Sequence, residues 1–309
     1  MNTAELLAGI ERRDTRAIAR AISLVEDSSA GADAILAGLD RRQVDRCLFF
    51  GITGPPGSGK STLTDKLIGC FRQKGHRVGV IAIDPSSALS GGAVLGDRVR
   101  MMDHAADHDV VIRSMASRGR LGGLCAAAGA VARVMAASGC SPVLIETVGV
   151  GQLEMDIIRL ADVTALVLAP GQGDEIQAMK AGVLEVVDLL VVNKSDLSGA
   201  EALAMDLETI LRQGGGPNQI HPICKTIATS GEGVAALAVG MENLYETFHQ
   251  SGRLQARRME ARRLEAADWA LDFLRQRMLR RLGQEITGEN DDPRLIARRI
   301  VEEMERGGK

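Results

Sequence analysis

The segment Gly54-Pro55-Pro56-Gly57-Ser58-Gly59-Lys60-Ser61-Thr62 decides the fold of this chain. Its G-x-x-x-x-G-K-S spacing is typical of a phosphate-binding loop, and it lies between an apolar run at 47–53 and a helical pattern at 61–74. Glycines let the backbone turn its N–H groups toward an anion, and the helix presents its positive end to the same anion. We therefore expect residues 54–62 to cradle a nucleoside triphosphate, with Lys60 on the β- and γ-phosphates and Ser61 on Mg²⁺.

A second motif indicates which base is bound. The apolar run 186–192 predicts a buried parallel strand, and it ends in Asn193-Lys194-Ser195-Asp196. Open α/β sheets bind their ligands at the carboxyl ends of such strands. The Asp196 carboxylate can accept hydrogen bonds from guanine N1 and the exocyclic amine, a pair of donors that adenine lacks. Asn193 and Lys194 can brace the loop and cover the purine, so GTP is favoured over ATP.

Composition indicates an ordinary globular protein. The 309 residues are 45% hydrophobic and 25% charged, which suffices for one large domain with appendages. A net charge of −3 and an aromatic content of 2% give no reason to expect nucleic acid or an anionic membrane. The amino terminus carries no signal pattern, and no apolar run reaches the length of about 18 residues that a membrane span needs. We expect a cytoplasmic protein that contacts neither nucleic acid nor membrane.

Strand and helix patterns alternate through the middle of the chain. Strands are predicted near 47–53, 78–83, 109–113, 143–147, 163–169, 186–192 and 219–224. Helices are predicted near 61–74, 94–104, 122–138, 174–184, 199–213 and 232–249. This alternation predicts an α/β fold, a mostly parallel P-loop GTPase sheet covered by helices. Helical patterns at both ends suggest an amino-terminal extension, a GTPase domain and a carboxyl-terminal extension over 1–43, 44–250 and 251–309.

Acidic residues near strand ends are candidate partners of a metal. Asp84 ends the second predicted strand, and Asp97 lies in the glycine-rich segment 91–100. Glu146 ends the fourth strand, and the backbone N–H of Gly149 could sense a γ-phosphate. Taken singly, Asp84 and Asp97 could equally be helix caps or surface acids.

The helix after residue 251, the histidines and the cysteines have less specific interpretations. In the arginine-rich run after residue 251, an apolar stripe that includes Leu264, Leu271 and Leu274 could pack on its own domain or form a dimer. His104 and His108 could share a helix face, but neither they nor the segment 221–224 has a clear further metal ligand. The scattered cysteines are expected to be small buried residues in a reducing compartment; they are Cys47, Cys70, Cys125, Cys140 and Cys224.

Five segments together resemble the MeaB/ArgK family of P-loop GTPases, whose human relative is the methylmalonic aciduria type A protein. They are “GPPGSGKST” (54–62), “IDPSSALSGGAVLGDRVRM” (83–101), “IRSMASRGRLGGL” (112–124), “ETVGVGQLE” (146–154) and “VVNKSDL” (191–197). The strings around 84–97 and 146–152 are far more specific than the phosphate-binding loop. The resemblance spans about 45–235 and extends to the flanking helices.

The resemblance implies a GTPase chaperone for an adenosylcobalamin-dependent acyl-CoA mutase of the methylmalonyl-CoA type. Such a chaperone gates cofactor loading, protects the mutase, and forms a homodimer through its helical extensions. By similarity, Mg²⁺ would be held or supported by Ser61, Asp84, Asp97 and Glu146. The loop 169–180 resembles the family's additional switch, with Asp174, Gln177 and Lys180 as participants. The catalytic residues would be Lys60, Asp97 and Glu146 for basal hydrolysis, and Gln177 and Lys180 for its stimulation by the partner.

One motif on the guanine side departs from the family pattern. The family has a Ser-Ala-like sequence where this chain has Ile227-Ala228-Thr229. A backbone N–H of this turn can still meet guanine O6, whereas a contact from the missing hydroxyl cannot form. Three other functions stay open: a nickel metallochaperone GTPase, a small-molecule or protein kinase, and a protein in which the nucleotide only stabilises the fold.

Overall fold

The computed structural model describes residues 1–84, 104, 106–116, 123–147, 153–172, 184, 186–214, 222–285 and 292–306. Seven strands form one sheet in the order β3-β2-β4-β1-β5-β6-β7, and every pairing is parallel. The strands are β1 (Phe49–Thr53), β2 (Val78–Asp84), β3 (Val110–Ala116), β4 (Val143–Thr147), β5 (Val163–Leu168), β6 (Leu189–Asn193) and β7 (Ile223–Thr226). The strand that leads into the phosphate-binding loop is therefore central.

Helices flank the sheet and extend from both ends of the chain. The first four are α1 (Thr3–Glu11), α2 (Thr15–Glu26), α3 (Ala32–Gly38) and α4 (Arg41–Arg46). Those within the strand–helix repeat are α5 (Lys60–Gln73), α6 (Gly123–Ala137), α7 (Leu153–Leu160), α8 (Ala200–Gly214) and α9 (Val234–Gln250). The last two are α10 (Arg253–Glu285) and α11 (Pro293–Arg306). Among these helices none is long and apolar enough to cross a membrane.

Both faces of the sheet are buried, which explains the continuous apolar runs in its strands. Every residue of β4, β5 and β6 is buried. Alternate residues serve opposite faces, since Ile145 packs in a cluster with α2 and α6, whereas Leu144 packs in another with α5 and α9. The amino-terminal helices therefore complete the core of one face, with Ile18 and Ile22 of α2 fully inside it.

Most predicted elements of the middle region are present within one to three residues of their predicted bounds. The last strand begins at Ile223, later than the pattern at 219–224 indicated. The short helix α7 was missed; its first two residues belong to the segment quoted as the motif 146–154. The predicted helices near 94–104 and 174–184 lie outside the described residues, apart from His104 and Leu184.

The first half of α10 packs on the GTPase body through charge. Arg258 forms hydrogen bonds from Nε and Nη2 to both carboxylate oxygens of Asp162, the residue before β5. Arg257 and Arg253 contact Asp188, the residue before β6, at 2.7 and 3.2 Å. Both aspartate side chains are almost fully buried, so this helix supplies the counter-charges at the amino-terminal ends of β5 and β6.

Candidate functional site

The phosphate-binding loop lies at the carboxyl edge of the sheet, between β1 and α5. Gly54 adopts φ +140°, and a Cβ there would lie 2.1 Å from the carbonyl oxygen of Val167 on β5. Gly59 adopts φ +92°, and a Cβ there would lie 2.3 Å from Nδ2 of Asn193. These two positions require glycine both for the left-handed backbone and for the close approach of neighbouring groups.

All five carbonyl oxygens from Gly54 to Ser58 accept a hydrogen bond from a side chain. The donors are Lys60 Nζ to Gly54 (2.8 Å) and Pro55 (2.9 Å), Gln172 Nε2 to Pro56 (2.8 Å), Lys194 Nζ to Gly57 (2.8 Å) and Asn193 Nδ2 to Ser58 (2.9 Å). The C=O and N–H of one trans peptide unit point in opposite directions. Holding the Pro56 and Ser58 carbonyls on one side therefore turns the N–H groups of Gly57 and Gly59 toward the other side, where a phosphate chain would lie. The residues after Gly54 and Pro55 are prolines without an N–H, and the Ser58 N–H donates to the Pro55 carbonyl at 3.3 Å.

The Asn193-Lys194-Ser195-Asp196 motif is tied to this loop and to the turn after β7. Asn193 is buried, and its Oδ1 accepts hydrogen bonds from Thr226 Oγ1 at 3.0 Å and from the Ala228 N–H at 3.1 Å. Lys194 has a left-handed backbone with φ +54°, which directs the chain out of the strand. One amide side chain thus joins the phosphate-binding loop, β6 and the turn after β7.

A cleft of about 180 Å³ opens between these segments. It is lined by Gly59, Thr62, Asn193, Lys194, Asp196, Leu197, Ile227, Ala228 and Thr229. The cleft brings together the residues predicted to hold guanine. Because the Ala228 N–H already donates to Asn193, that group is engaged within the protein. Ile227, which stands in place of the family's serine, pairs through its backbone with Glu232 in an isolated antiparallel β-bridge.

Ser61 and Glu146 meet at the other side of the phosphate-binding loop. Ser61 Oγ donates to Glu146 Oε1 at 2.6 Å, and Glu146 is 3% exposed. The fold explains the approach. Glu146 of β4 pairs in register with Ile52 of β1 and Ala82 of β2, and Ser61 lies in the first turn of α5, which follows β1. A buried carboxylate and a hydroxyl are oxygen ligands of the kind Mg²⁺ takes in proteins. Asp84 is the last residue of β2, the strand beside β4.

Several predicted residues lie outside the described part of the chain. These are the side chain of Asp84 and the residues Asp97, Gly149, Asp174, Gln177 and Lys180. The structure therefore brings together Lys60, Ser61, Glu146, Asn193 and Asp196 at one sheet edge, and it does not test the roles of the others.

Two contacts at the site were missed by sequence reasoning. Thr226 holds Asn193, and Gln172 holds both Pro56 and the Ala169 N–H. Thr226 directly precedes the turn that was compared with the family's Ser-Ala motif, so that comparison could have signalled it. Gln172 occurs within the loop 169–180, but no spacing or residue type in the sequence distinguishes it from a solvated side chain.

Two of the cysteines are buried as expected and two are not. Cys47 and Cys140 are buried free thiols, and burial raises the pKa of both, whereas Cys70 and Cys224 are free thiols at partly exposed positions. The side chain of Cys125 lies outside the described residues.

His104 Nε2 lies 3.3 Å from Oδ1 of Asp65, while His108 is exposed. Among the described residues, no three histidine, cysteine or acidic side chains are grouped as metal ligands.

Comparisons with known proteins give the family. The sequence profile described as Methylmalonyl Co-A mutase-associated GTPase MeaB matches residues 18–284. A protein of Pyrococcus abyssi named as a GTPase is 45% identical over 260 residues, which cover 82% of this chain and 79% of that protein. The mitochondrial methylmalonic aciduria type A homolog of Mus musculus is 32% identical over 271 residues, 82% of this chain and 65% of that protein.

A solved structure agrees at the level of the fold. The crystal structure of a LAO/AO transport system kinase superposes with a TM-score of 0.67 at 24% identity, covering 98% of this chain and 97% of that one. The parallel sheet and its central phosphate-binding loop are consistent with the family that the sequence profile indicates. The chain belongs to the MeaB family of methylmalonyl-CoA mutase-associated GTPases.

Proposed function

We propose that this chain binds GTP across the phosphate-binding loop and the cleft beside Asp196, and hydrolyses it to GDP and phosphate. The observation that supports the proposal is a pair of hydrogen bonds that join the guanine motif to the phosphate-binding loop. Asn193 and Lys194 hold the carbonyls of Ser58 and Gly57, so the loop for phosphate and the motif for guanine form one unit. Base recognition and phosphate binding are therefore geometrically linked.

Lys60 is the cation available to the phosphates. Its Nζ is hydrogen-bonded to the carbonyls of Gly54 and Pro55, within the loop where the phosphate chain would lie. A charged hydrogen bond to phosphate is stronger than one to a neutral carbonyl. The ammonium would therefore turn to the β- and γ-phosphates and stabilise negative charge that moves toward the leaving group.

The Ser61–Glu146 pair fits a magnesium ion. A hydroxyl and a buried carboxylate, 2.6 Å apart at the end of β4, form an oxygen donor set next to the phosphate cradle. Asp84 and Asp97 complete or support this set in our proposal. Bound Mg²⁺ would neutralise charge on the β- and γ-phosphates. Ser61 and Glu146 would hold the ion, and the buried position of Glu146 keeps its carboxylate fixed.

We further propose that GTP turnover serves a mutase partner. The family description names an association with methylmalonyl-CoA mutase, and the mouse relative is named for methylmalonic aciduria. The client would be an adenosylcobalamin-dependent acyl-CoA mutase, whose cofactor loading this chain gates. We expect intrinsic hydrolysis to be slow and to rise when the mutase binds, with the loop 169–180 as the coupling element.

Nucleotide binding is tested by calorimetry with GTP, GDP and ATP in the presence of Mg²⁺. We expect strong discrimination against ATP, and loss of hydrolysis in Lys60→Ala because the phosphate charge loses its cation. Lys66→Ala is the control, since Lys66 is a partly exposed lysine of the same helix that pairs with Asp65. Equal affinity of the wild-type protein for ATP and GTP would contradict the proposal, as would transfer of labelled phosphate to an amino acid.

The mutase role is tested by two measurements. The native protein is first used as bait with GDP and then with a non-hydrolysable GTP analogue, and the co-purifying proteins are identified. GTP turnover is then followed with and without the mutase. Gln177→Ala and Lys180→Ala should keep the basal rate and lose most of the stimulation. No stimulation of the wild-type protein by any such mutase would rule out the chaperone role, while full stimulation of both variants would move the coupling elsewhere.

A further inference from the structure

Strand β5 and the turn that follows it each contact the phosphate-binding loop. On the strand, the carbonyl of Val167 approaches Gly54 so closely that only glycine fits there. Further on, the side chain of Gln172 reaches over the loop and donates from Nε2 to the carbonyl of Pro56 at 2.8 Å. The same amide accepts a hydrogen bond from the Ala169 N–H at 3.1 Å, so both of its ends are engaged.

The Pro56–Gly57 peptide unit beneath this amide can change its orientation by rotation about ψ of Pro56. The ring of Pro56 fixes φ, so the direction of its carbonyl depends on ψ alone. Gly57 follows with φ +76°, and a Cβ there would meet nothing within 4 Å, so side-chain packing does not restrain it. Rotation of the Pro56–Gly57 peptide unit would turn the Gly57 N–H away from the cradle, because the C=O and N–H of that unit point in opposite directions.

We propose that Gln172 is a positioning residue for nucleotide binding, which fixes the Pro56–Gly57 peptide and so aims the Gly57 N–H at the phosphates. The inference rests on the proposed nucleotide site and adds a residue to it. Lys194 restrains the next carbonyl, that of Gly57, and Asn193 the one after it. Without Gln172, the Pro56 carbonyl would lose the only side-chain donor it has among the described residues.

The effect is expected mainly on retention of the nucleotide. The free protein loses one exposed hydrogen bond, whereas the complex also loses the alignment of an N–H with phosphate. One hydrogen bond corresponds to a factor of about three to ten in an equilibrium or rate. We expect Gln172→Ala to release mant-GDP about three- to tenfold faster than the wild-type protein. The preference for guanine over adenine should stay unchanged, because Asn193, Lys194 and Asp196 are untouched.

Gln172→Glu separates the two hydrogen bonds of the amide. Glutamate keeps the shape and can still accept from the Ala169 N–H, but its carboxylate cannot donate to the Pro56 carbonyl. If the bond to Pro56 matters, Gln172→Glu releases mant-GDP at least as fast as Gln172→Ala. If Gln172 only stabilises its own turn, Gln172→Glu resembles the wild-type protein.

The experiment is a stopped-flow chase of mant-GDP by excess GDP, carried out on the full-length protein with Mg²⁺ present. Gln250→Ala is the matched control, since Gln250 is also an exposed glutamine that donates one hydrogen bond, to Glu246 at 2.9 Å. Its release rate should equal that of the wild-type protein. Thermal midpoints of the nucleotide-free variants show whether folding is unchanged.

The outcomes separate this inference from the proposed function. Failure of the wild-type protein to bind mant-GDP would overturn the nucleotide site and this role with it. Binding by the wild-type protein with unchanged release from both Gln172 variants would overturn only the role of Gln172. A wild-type release rate in Gln172→Glu alone would also overturn it, because the bond to Pro56 would then contribute nothing.

Discussion

Asn193 shows how much one side chain can organise. Its amide donates to Ser58 and accepts from Thr226 and Ala228, so each of its polar atoms has a partner in a different segment. A buried amide without such partners would be costly, which keeps the three segments together. The expectation that Asn193 and Lys194 brace the loop followed from their place after a strand. Gln172 could not be found in this way, because its role depends on a turn that no sequence pattern specifies.

Asp196 is the residue on which base preference depends in our proposal. Asp196→Asn replaces a carboxylate that accepts two hydrogen bonds by an amide that accepts one and donates one. Affinity for GTP should fall by about 1.5 to 3 kcal/mol, the scale of a hydrogen bond to a charged group. Affinity for xanthosine triphosphate should rise, because xanthine carries a carbonyl where guanine has the exocyclic amine.

Isothermal titration of GTP and xanthosine triphosphate into the wild-type protein and into Asp196→Asn measures this change in base preference. Asp206→Asn is a control, since that aspartate is exposed on α8 and lies outside the cleft. An Asp196→Asn variant that keeps the wild-type order of affinities would remove Asp196 from the base contact.

At the scale of elements, α10 contacts the body of the protein mainly through charged side chains, which an analysis of hydrophobic periodicity does not detect. The predicted apolar stripe included Leu271 and Leu274, yet these side chains are 65% and 50% exposed. The face turned inward instead carries Arg257, Arg258 and Glu265. Hydrophobic periodicity cannot detect a face of arginines that serves buried carboxylates. The same pattern analysis succeeded for the strands, because they are buried on both faces.

Arg258→Ala should therefore destabilise the fold strongly. It leaves the carboxylate of Asp162, whose side chain is 2% exposed, without its guanidinium partner. Breaking a buried ion pair in this way costs about 3 to 5 kcal/mol. Burial opposes the charge of Arg258, but its hydrogen bonds to Asp162 prevail and hold its pKa above the ordinary value. The measurement is the midpoint of urea unfolding.

Arg262→Ala on the same helix is the matched control. Arg262 and Asp45 are both more than half exposed, and such a pair contributes about 0 to 1 kcal/mol. If Arg258→Ala is too unstable to purify, the double variant Arg258→Ala/Asp162→Asn should recover part of the loss by removing the unpaired charge. Equal unfolding midpoints for Arg258→Ala and Arg262→Ala would show that the buried pair adds nothing.

At the scale of the whole molecule, the second half of α10 exposes apolar side chains. Leu271, Phe273, Leu274 and Leu279 are each at least half exposed, although α11 packs against the same helix. Exposed apolar patches of this kind mark interaction surfaces. We propose that they form the homodimer that the family resemblance implies, which would leave the first half of α10 to its own domain. The division of the chain at residue 251 stays a prediction.

The double variant Leu271→Asp/Leu274→Asp should convert a dimer into a monomer, because two charges would be buried at the interface. Light scattering on a size-exclusion column measures the mass of the particle directly. Val239→Asp is the control, since Val239 is a similarly exposed apolar residue on α9. A monomeric wild-type protein, or a dimer that survives the double substitution, would contradict the assignment.

The buried carboxylates of Asp162 and Asp188 also bear on how the protein is made. They directly precede β5 and β6, but their arginine partners, Arg253, Arg257 and Arg258, come some 65 to 100 residues later in the chain. While the ribosome is still adding those residues, the sheet would have to bury two negative charges with only backbone hydrogen bonds, from Phe49 to Asp162 and from Thr164 to Asp188, which is strongly unfavourable. We therefore expect the amino-terminal ends of β5 and β6 to become buried late in synthesis. A nascent chain that stalls before α10 would carry every nucleotide motif but would expose an unfinished core to chaperones and proteases.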